Sequence, residues 1–236
     1  MKHCLIILIW LIVPLVSFGQ WQTGIKGGLD YYWFSSPGDP HADVQYDYSK
    51  SAPVVALTLR PRASHTFNPG LEIGYVHRSF DVTSSYYNMV GITTVDYAFR
   101  TGHIYFQLQP QLLFGKRIKF FIYPALYVGT MIQSKMTGTS QTRSLIDPLV
   151  IFSDTVDGPV REFHGDLEVG FGAGAGVEFP FYDHFSFLVE YNFNLHALPV
   201  ANAWRSNRVK IMNMNLEVGL TYTFKSNKNP FLEPEN

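Results

Sequence analysis

Along most of the chain, apolar and polar residues alternate one for one. Met212, Met214, Leu216, Val218, Leu220, Tyr222 and Phe224 share one parity, and Asn213, Asn215, Glu217, Gly219, Thr221 and Thr223 share the other. A strand turns successive side chains to opposite faces, so this segment has one apolar and one polar face. A helix would spread the same residues around its circumference. The run spans about a dozen residues, enough to cross a bilayer at a tilt, which takes roughly 9–11. Aromatic residues collect at its end, where a membrane interface would lie.

Seven earlier segments carry the same period. The first strand is expected over 24–34, with Ile25, Leu29, Tyr31 and Trp33 opposite Lys26, Gly28, Asp30 and Tyr32. The second covers 53–60, and the third covers 70–80 with Leu71, Ile73 and Tyr75 outward and Glu72, Gly74 and Arg78 inward. The fourth covers 102–114, with Ile104, Phe106, Leu108 and Leu112 against His103, Tyr105, Gln107, Gln109 and Gln111. Pro110 within it cannot donate to a ladder, which predicts a bulge or a missing hydrogen bond. The fifth, 119–132, is apolar on both faces, and its pattern does not say which face meets lipid. The sixth, 163–179, sets Phe171, Ala173, Ala175, Val177 and Phe179 against Glu168, Glu178 and a run of alternate glycines. The seventh covers 185–195.

The segments between these strands alternate long and short. Residues 35–51, 81–100, 133–162 and 197–208 read as loops, and parts of 81–100 could extend the flanking strands above the membrane; 61–68, 115–117 and 180–184 read as short links. Long extracellular loops, short periplasmic turns and both termini on the periplasmic side are the asymmetry of outer-membrane barrels. The fold class expected is all-β: a transmembrane up-and-down antiparallel β-barrel of about eight strands.

The N-terminus reads differently. Lys2 and His3 precede an apolar stretch from Leu5 to Val16, and Ser17-Phe18-Gly19 places small residues at the cleavage positions. Residues 1–19 are expected to be a cleavable signal peptide and 20–224 the barrel domain. Residues 225–236 are expected to form a polar periplasmic tail. The sole cysteine, Cys4, lies in the signal, so a mature chain would have neither disulfides nor thiol catalysis. The net charge of −1 gives no field that draws the chain to nucleic acid. Aromatic and charged residues are each 16% of the chain, and charge is usually ~25%. That balance suits a barrel whose apolar residues occupy only alternate positions.

An eight-stranded barrel is only wide enough for side chains to fill its interior. The inward positions hold Lys26, Asp30, Arg60, Glu72, Arg78, Glu168, Glu178, Glu190 and Glu217. Buried charges need partners, so the three cations are expected to compensate the carboxylates in a closed plug. A narrow polar pore is the alternative. Gly170, Gly172, Gly174 and Gly176 lack the helix that a nucleotide loop requires, and read as lumen packing. His41, Asp43 and Asp47 have no second histidine or cysteine, and are read as a solvated loop; no metal and no cofactor are expected. Asp183-His184 reads as a structural turn.

Several stretches carry resemblances. Glu217, Gly219, Tyr222 and Phe224 resemble the closing-strand signal through which outer-membrane barrels are recognised by the barrel-assembly machinery, although a tail follows Phe224 here. His77 and Ser79 have the spacing of the His-x-Ser pair of outer-membrane lipid A deacylases, without an identifiable acid partner. A histidine so placed could activate a serine. The bland reading is a rim histidine and serine, with no catalytic residue and no enzyme. Gly24-Ile25-Lys26-Gly27-Gly28, Leu71-Glu72-Ile73-Gly74-Tyr75, 166–179 and 216–224 together resemble the PorT-like outer-membrane β-barrel proteins of Gram-negative bacteria. That resemblance implies an integral protein of the cell outer membrane, in contact with outer-membrane lipids and lipopolysaccharide. Some relatives serve protein secretion. Three function classes follow: an interaction barrel whose loops bind a secretion or surface protein partner, a narrow pore for small solutes or ions, and a lipid-modifying enzyme.

Overall fold

The computed structural model describes residues 21–35, 42–46, 50–61, 66–87, 91–147, 151–159, 167–196 and 210–224. The expected signal peptide, the first-loop residues His41 and Asp47, the start of the sixth predicted strand and the C-terminal tail lie outside the described residues.

Among the described residues there are ten strands: β1 (Trp21–Ser35), β2 (Ala42–Tyr46), β3 (Lys50–Pro61), β4 (Phe67–Tyr87), β5 (Gly91–Phe114), β6 (Lys119–Ser144), β7 (Ile151–Gly158), β8 (Leu167–Tyr182), β9 (Phe185–His196) and β10 (Lys210–Phe224). Eight close a ring in the order β1-β3-β4-β5-β6-β8-β9-β10, and every pairing is antiparallel. The seam is β1 against β10, in register from Trp21↔Phe224 to Ser35↔Lys210. The closed antiparallel barrel expected from the alternation is therefore the fold.

Three of the expected loops contain further strand, as a correction in 35–51 and 133–162 and as the extension of the flanking strands in 81–100. Residues 81–100 are mostly strand, because β4 and β5 continue to Tyr87 and Gly91 as one hairpin. Residues 133–162 contain twelve further residues of β6 and the added strand β7, which pairs only with β6 among the described residues. Likewise β2 lies inside the expected first loop and pairs with β4. The polar outward positions of β4, β5 and β6 there resemble loop composition, but the period-2 pattern persists beneath it.

The fifth expected strand is now oriented. Phe121, Tyr123, Ala125 and Tyr127 are buried in the lumen, and Phe120, Ile122, Leu126 and Val128 face outward. The lumen partner explains the ambiguity: the alternate glycines of β8 make room for these rings. A β-carbon on Gly174 would collide with Tyr123, and one on Gly176 with Phe121. The glycines therefore serve lumen packing, as expected.

Pro110 faces Pro69 on β4, and the position opposite it on β6 belongs to Pro124. The β5–β6 ladder lapses over Gln109–Gln111 and resumes in the same register at Leu112↔Ile122. A missing stretch of ladder is the outcome there. The bulge lies elsewhere, at Gly102/His103 opposite Met131 and Gln133.

Inside the ring, two apolar clusters bracket the polar lumen. One, with Leu113, Phe121 and Leu188, lies at the end of the short turns. The other, with Phe80, Val82, Phe99 and Met136, fills the space between the tall hairpins.

Candidate functional site

Period-2 facing brings the predicted lumen residues together in two charged layers. In the first, the Lys26 ammonium lies 2.6 Å from Glu72, 3.0 Å from Glu190 and 2.6 Å from Glu217. These come from β1, β4, β9 and β10, so one lysine ties together strands on both sides of the seam. Its stem crosses Gly219, where a β-carbon would sit 2.8 Å from Lys26 Cγ. Arg60 on β3 reaches Glu190 at 3.1 Å and lies over the Phe121 ring at 5.1 Å. Tyr105 donates to Glu72 at 2.8 Å, Gln109 donates to Glu72 at 2.7 Å, and Tyr123 donates to Glu190.

In the second layer, Arg78 on β4 donates to Asp30 at 2.8 Å and pairs with Glu168 at 3.4 Å. The phenol of Tyr127 donates to Glu168 at 3.2 Å. His103 and His196 bring Nδ1 to within 3.2 and 3.4 Å of the same carboxylate. Asn213 donates to Asp30 at 2.7 Å. Stacked rings of Tyr105 and Tyr127, 5.3 Å apart, lie between the layers. Glu178 sits apart near the turns, accepting from Gln22 at 2.8 Å.

The nine lumen candidates are all buried. Eight fall in the two layers, and Glu178 is the outlier by position. Period 2 also placed Tyr105 and His103 inward, but the phenols of Tyr105, Tyr123 and Tyr127 as carboxylate donors, and His196 and Asn213 as partners, were not singled out. The available signal was the inward parity of polar-tipped residues on β5, β6, β9 and β10.

Desolvating several charges is costly, and each is offset only by close partners. The arrangement can therefore hold the eight strands in one register, since removing any partner exposes another to an apolar neighbourhood. Carboxylate oxygens of Glu72, Glu190 and Glu217 lie within 4.8 Å of one another, a spacing that could hold a metal ion. The Lys26 ammonium stands against all three at contact distance, so this donor set fits an ammonium in place of a metal ion.

The closing-strand residues divide by parity. Glu217 turns into the lumen, and Phe224 is about half exposed on the outer wall. Tyr222 packs against Phe224 and Phe185, with ring centroids 5.0 Å away in each case. His77 and Ser79 turn outward, away from the charged lumen and on the same face as Ile73 and Tyr75.

A family model described as an outer membrane protein beta-barrel domain matches residues 17–200. The chain belongs to that family. Among solved structures, Ail, the attachment invasion locus protein of Yersinia pestis, is 14% identical; the alignment covers 86% of this chain and 98% of Ail, with a TM-score of 0.40. Neisserial surface protein A is 12% identical over 87% of this chain and 97% of its own, with a TM-score of 0.45. The outer membrane protease OmpT of Escherichia coli is 7% identical over 88% and 98%, with a TM-score of 0.38. The comparison with curated proteins finds no match. Membership in the family implies the outer membrane as the address.

Proposed function

We propose that this family member is a closed interaction barrel: a membrane anchor without enzymatic activity that presents the β4–β7 wall to a partner outside the cell. The observation that carries this reading is the sealed lumen. Lys26 and its three carboxylates are at most 1% exposed, and apolar clusters lie on both sides of the charged layers. An interior so filled favours a plug over a solute path. The tall wall supplies the working surface, since β5 and β6 run for 24 and 26 residues, far beyond the 9–11 a crossing needs.

The finer assignment to PorT-like proteins, some of which assist secretion, belongs to this same proposal, as do export by a cleavable signal peptide and insertion by the barrel-assembly machinery through Glu217, Gly219, Tyr222 and Phe224. The partner is a secreted or surface protein engaged by the β6–β7 hairpin, within an outer leaflet of lipopolysaccharide. The test is capture from intact cells by the full chain and by a version with 137–157 replaced by a short turn. A partner retained by the first and lost by the second supports the reading. Discrete conductance steps of the purified barrel in a planar bilayer would contradict it and favour a pore. Lipopolysaccharide deacylation that disappears in Ser79→Ala would contradict it in favour of an enzyme.

A further inference from the structure

The outward face of β4, β5 and β6 changes chemistry in rows. The rows Leu71–Leu108–Leu126 and Ile73–Phe106–Val128 are apolar, and Tyr75–Ile104–Thr130 ends the apolar zone. The next row is His77–Gly102–Gln133, where the Tyr75 hydroxyl donates to Gln133 at 3.3 Å. Then comes Ser79–Arg100–Lys135. Above it stand Asp81–Ala98–Thr137–Asp157, Thr83–Asp96–Thr139–Thr155 and Ser85–Thr94–Gln141–Ser153. Apart from Ala98, these upper rows carry hydroxyls, carboxylates and an amide, with Ser85 and Thr94 bonded at 3.2 Å.

Arg100 and Lys135 are both exposed and directly opposite on adjacent strands. Like charges so placed destabilise a sheet. Asp157 relieves Lys135 from the diagonal at 3.2 Å, but that pair is more than half exposed on both sides and contributes little. A sequence selected only for stability would place opposite charges here. The row's height supplies the reason for its charge. From Phe114 to Ile104 the strand climbs about 25 Å at ~3.3 Å per residue and a tilt near 40°, which matches the apolar band of a membrane barrel. Arg100 lies about 10 Å higher, at the depth of the outer-leaflet headgroups.

We infer that this wall is a glycolipid-binding site: acyl chains lie on the apolar rows, an anionic phosphate sits on Arg100 and Lys135 beside His77, and the saccharide lies against the hydroxyl rows. The ligand class is a phosphorylated glycolipid of the lipid A type, recognised because its apolar, anionic and hydroxylated zones follow the same order as the wall. The site rests on the outer-membrane placement proposed above and deepens it.

The test uses the full barrel folded in detergent, with the cold-gel compact band followed against temperature. Diphosphoryl lipid A at about 100 times its Kd is expected to raise the midpoint by roughly 5–10 °C. The double variant Arg100→Gln/Lys135→Gln is expected to unfold at the same or a slightly higher temperature without lipid, because the repulsion is gone, and to lose most of the lipid A shift. Lys116→Gln, at the opposite end of the barrel, is expected to keep that shift. A double variant that retains the full shift overturns the site. An equal shift from inorganic phosphate, phosphatidylglycerol or dephosphorylated lipid A overturns the glycolipid assignment. A wild-type chain with no heat-modifiable band would count against the membrane barrel itself, which separates that failure from this one.

Discussion

Strand β5 has two halves with opposite polarity. In the half toward the short turns, Phe106, Leu108 and Leu112 face outward at 40–48% exposure, and Gln107, Gln109 and Gln111 face inward, fully buried. In the half beyond Gly102, Val95 and Phe99 are buried inward, while Thr94, Asp96 and Arg100 are exposed outward. The backbone is the same continuous strand, and the alternation never breaks. What inverts is the solvent. Apolar side chains turn toward lipid where lipid surrounds the wall and toward each other where water does. The inversion falls at the Gly102/His103 bulge, where β6 presents both Ile132 and Gln133. One strand therefore marks the outer edge of the membrane by its own chemistry.

The comparison can be broken most severely from the inside. Lys26→Met leaves Glu72, Glu190 and Glu217 facing one another with Arg60 as the remaining cation in that layer. Breaking a buried network by removing one partner costs about 3–5 kcal/mol, read as a fall in the urea midpoint of the refolded barrel. The matching change in the upper half, Phe99→Ala, opens an apolar core and is expected to cost about 3 kcal/mol in the same assay, the lower end for a buried phenylalanine. Phe106→Arg sets a charge against the middle of the lipid band, at a cost of about 2–4 kcal/mol in bilayer unfolding. Thr94→Arg, with the same parity on the same strand, is expected to change that midpoint by less than about 0.5 kcal/mol. If Phe106→Arg and Thr94→Arg had equal effects, the two halves would share one solvent.

The sequence carries the membrane half almost completely. Polar-in, apolar-out alternation placed Lys26, Arg78, Glu72 and Glu217 in the lumen and set eight crossings. It failed where both parities are apolar, as on β6, because lipid and lumen ask for the same residue types when the lumen partner is a row of glycines. It also failed in the tall hairpins. Thr137, Thr139 and Gln141 look like loop residues, and the inverted parity beneath them is visible only once a strand is assumed to continue. Pairing within the lumen was out of reach, since which carboxylate meets which cation depends on barrel shear, which sequence spacing does not fix. Like charges in register, such as Arg100 and Lys135, are likewise hidden until the register is known.

The most direct measurement is a depth scan of the outward face of β5. Single cysteines would replace Leu112, Leu108, Phe106, Ile104, Arg100, Asp96 and Thr94 in turn; the chain's one natural cysteine is Cys4, so residues 5–236 are otherwise thiol-free. Spin labels in bilayers would report contact with oxygen or with a water-soluble quencher. Labels from Leu112 through Ile104 are expected to be lipid-exposed, and those from Arg100 upward water-exposed, with the crossing between Ile104 and Arg100. Lipid contact that persists at Thr94, or water contact at Phe106, would contradict the inversion and the membrane boundary drawn from it.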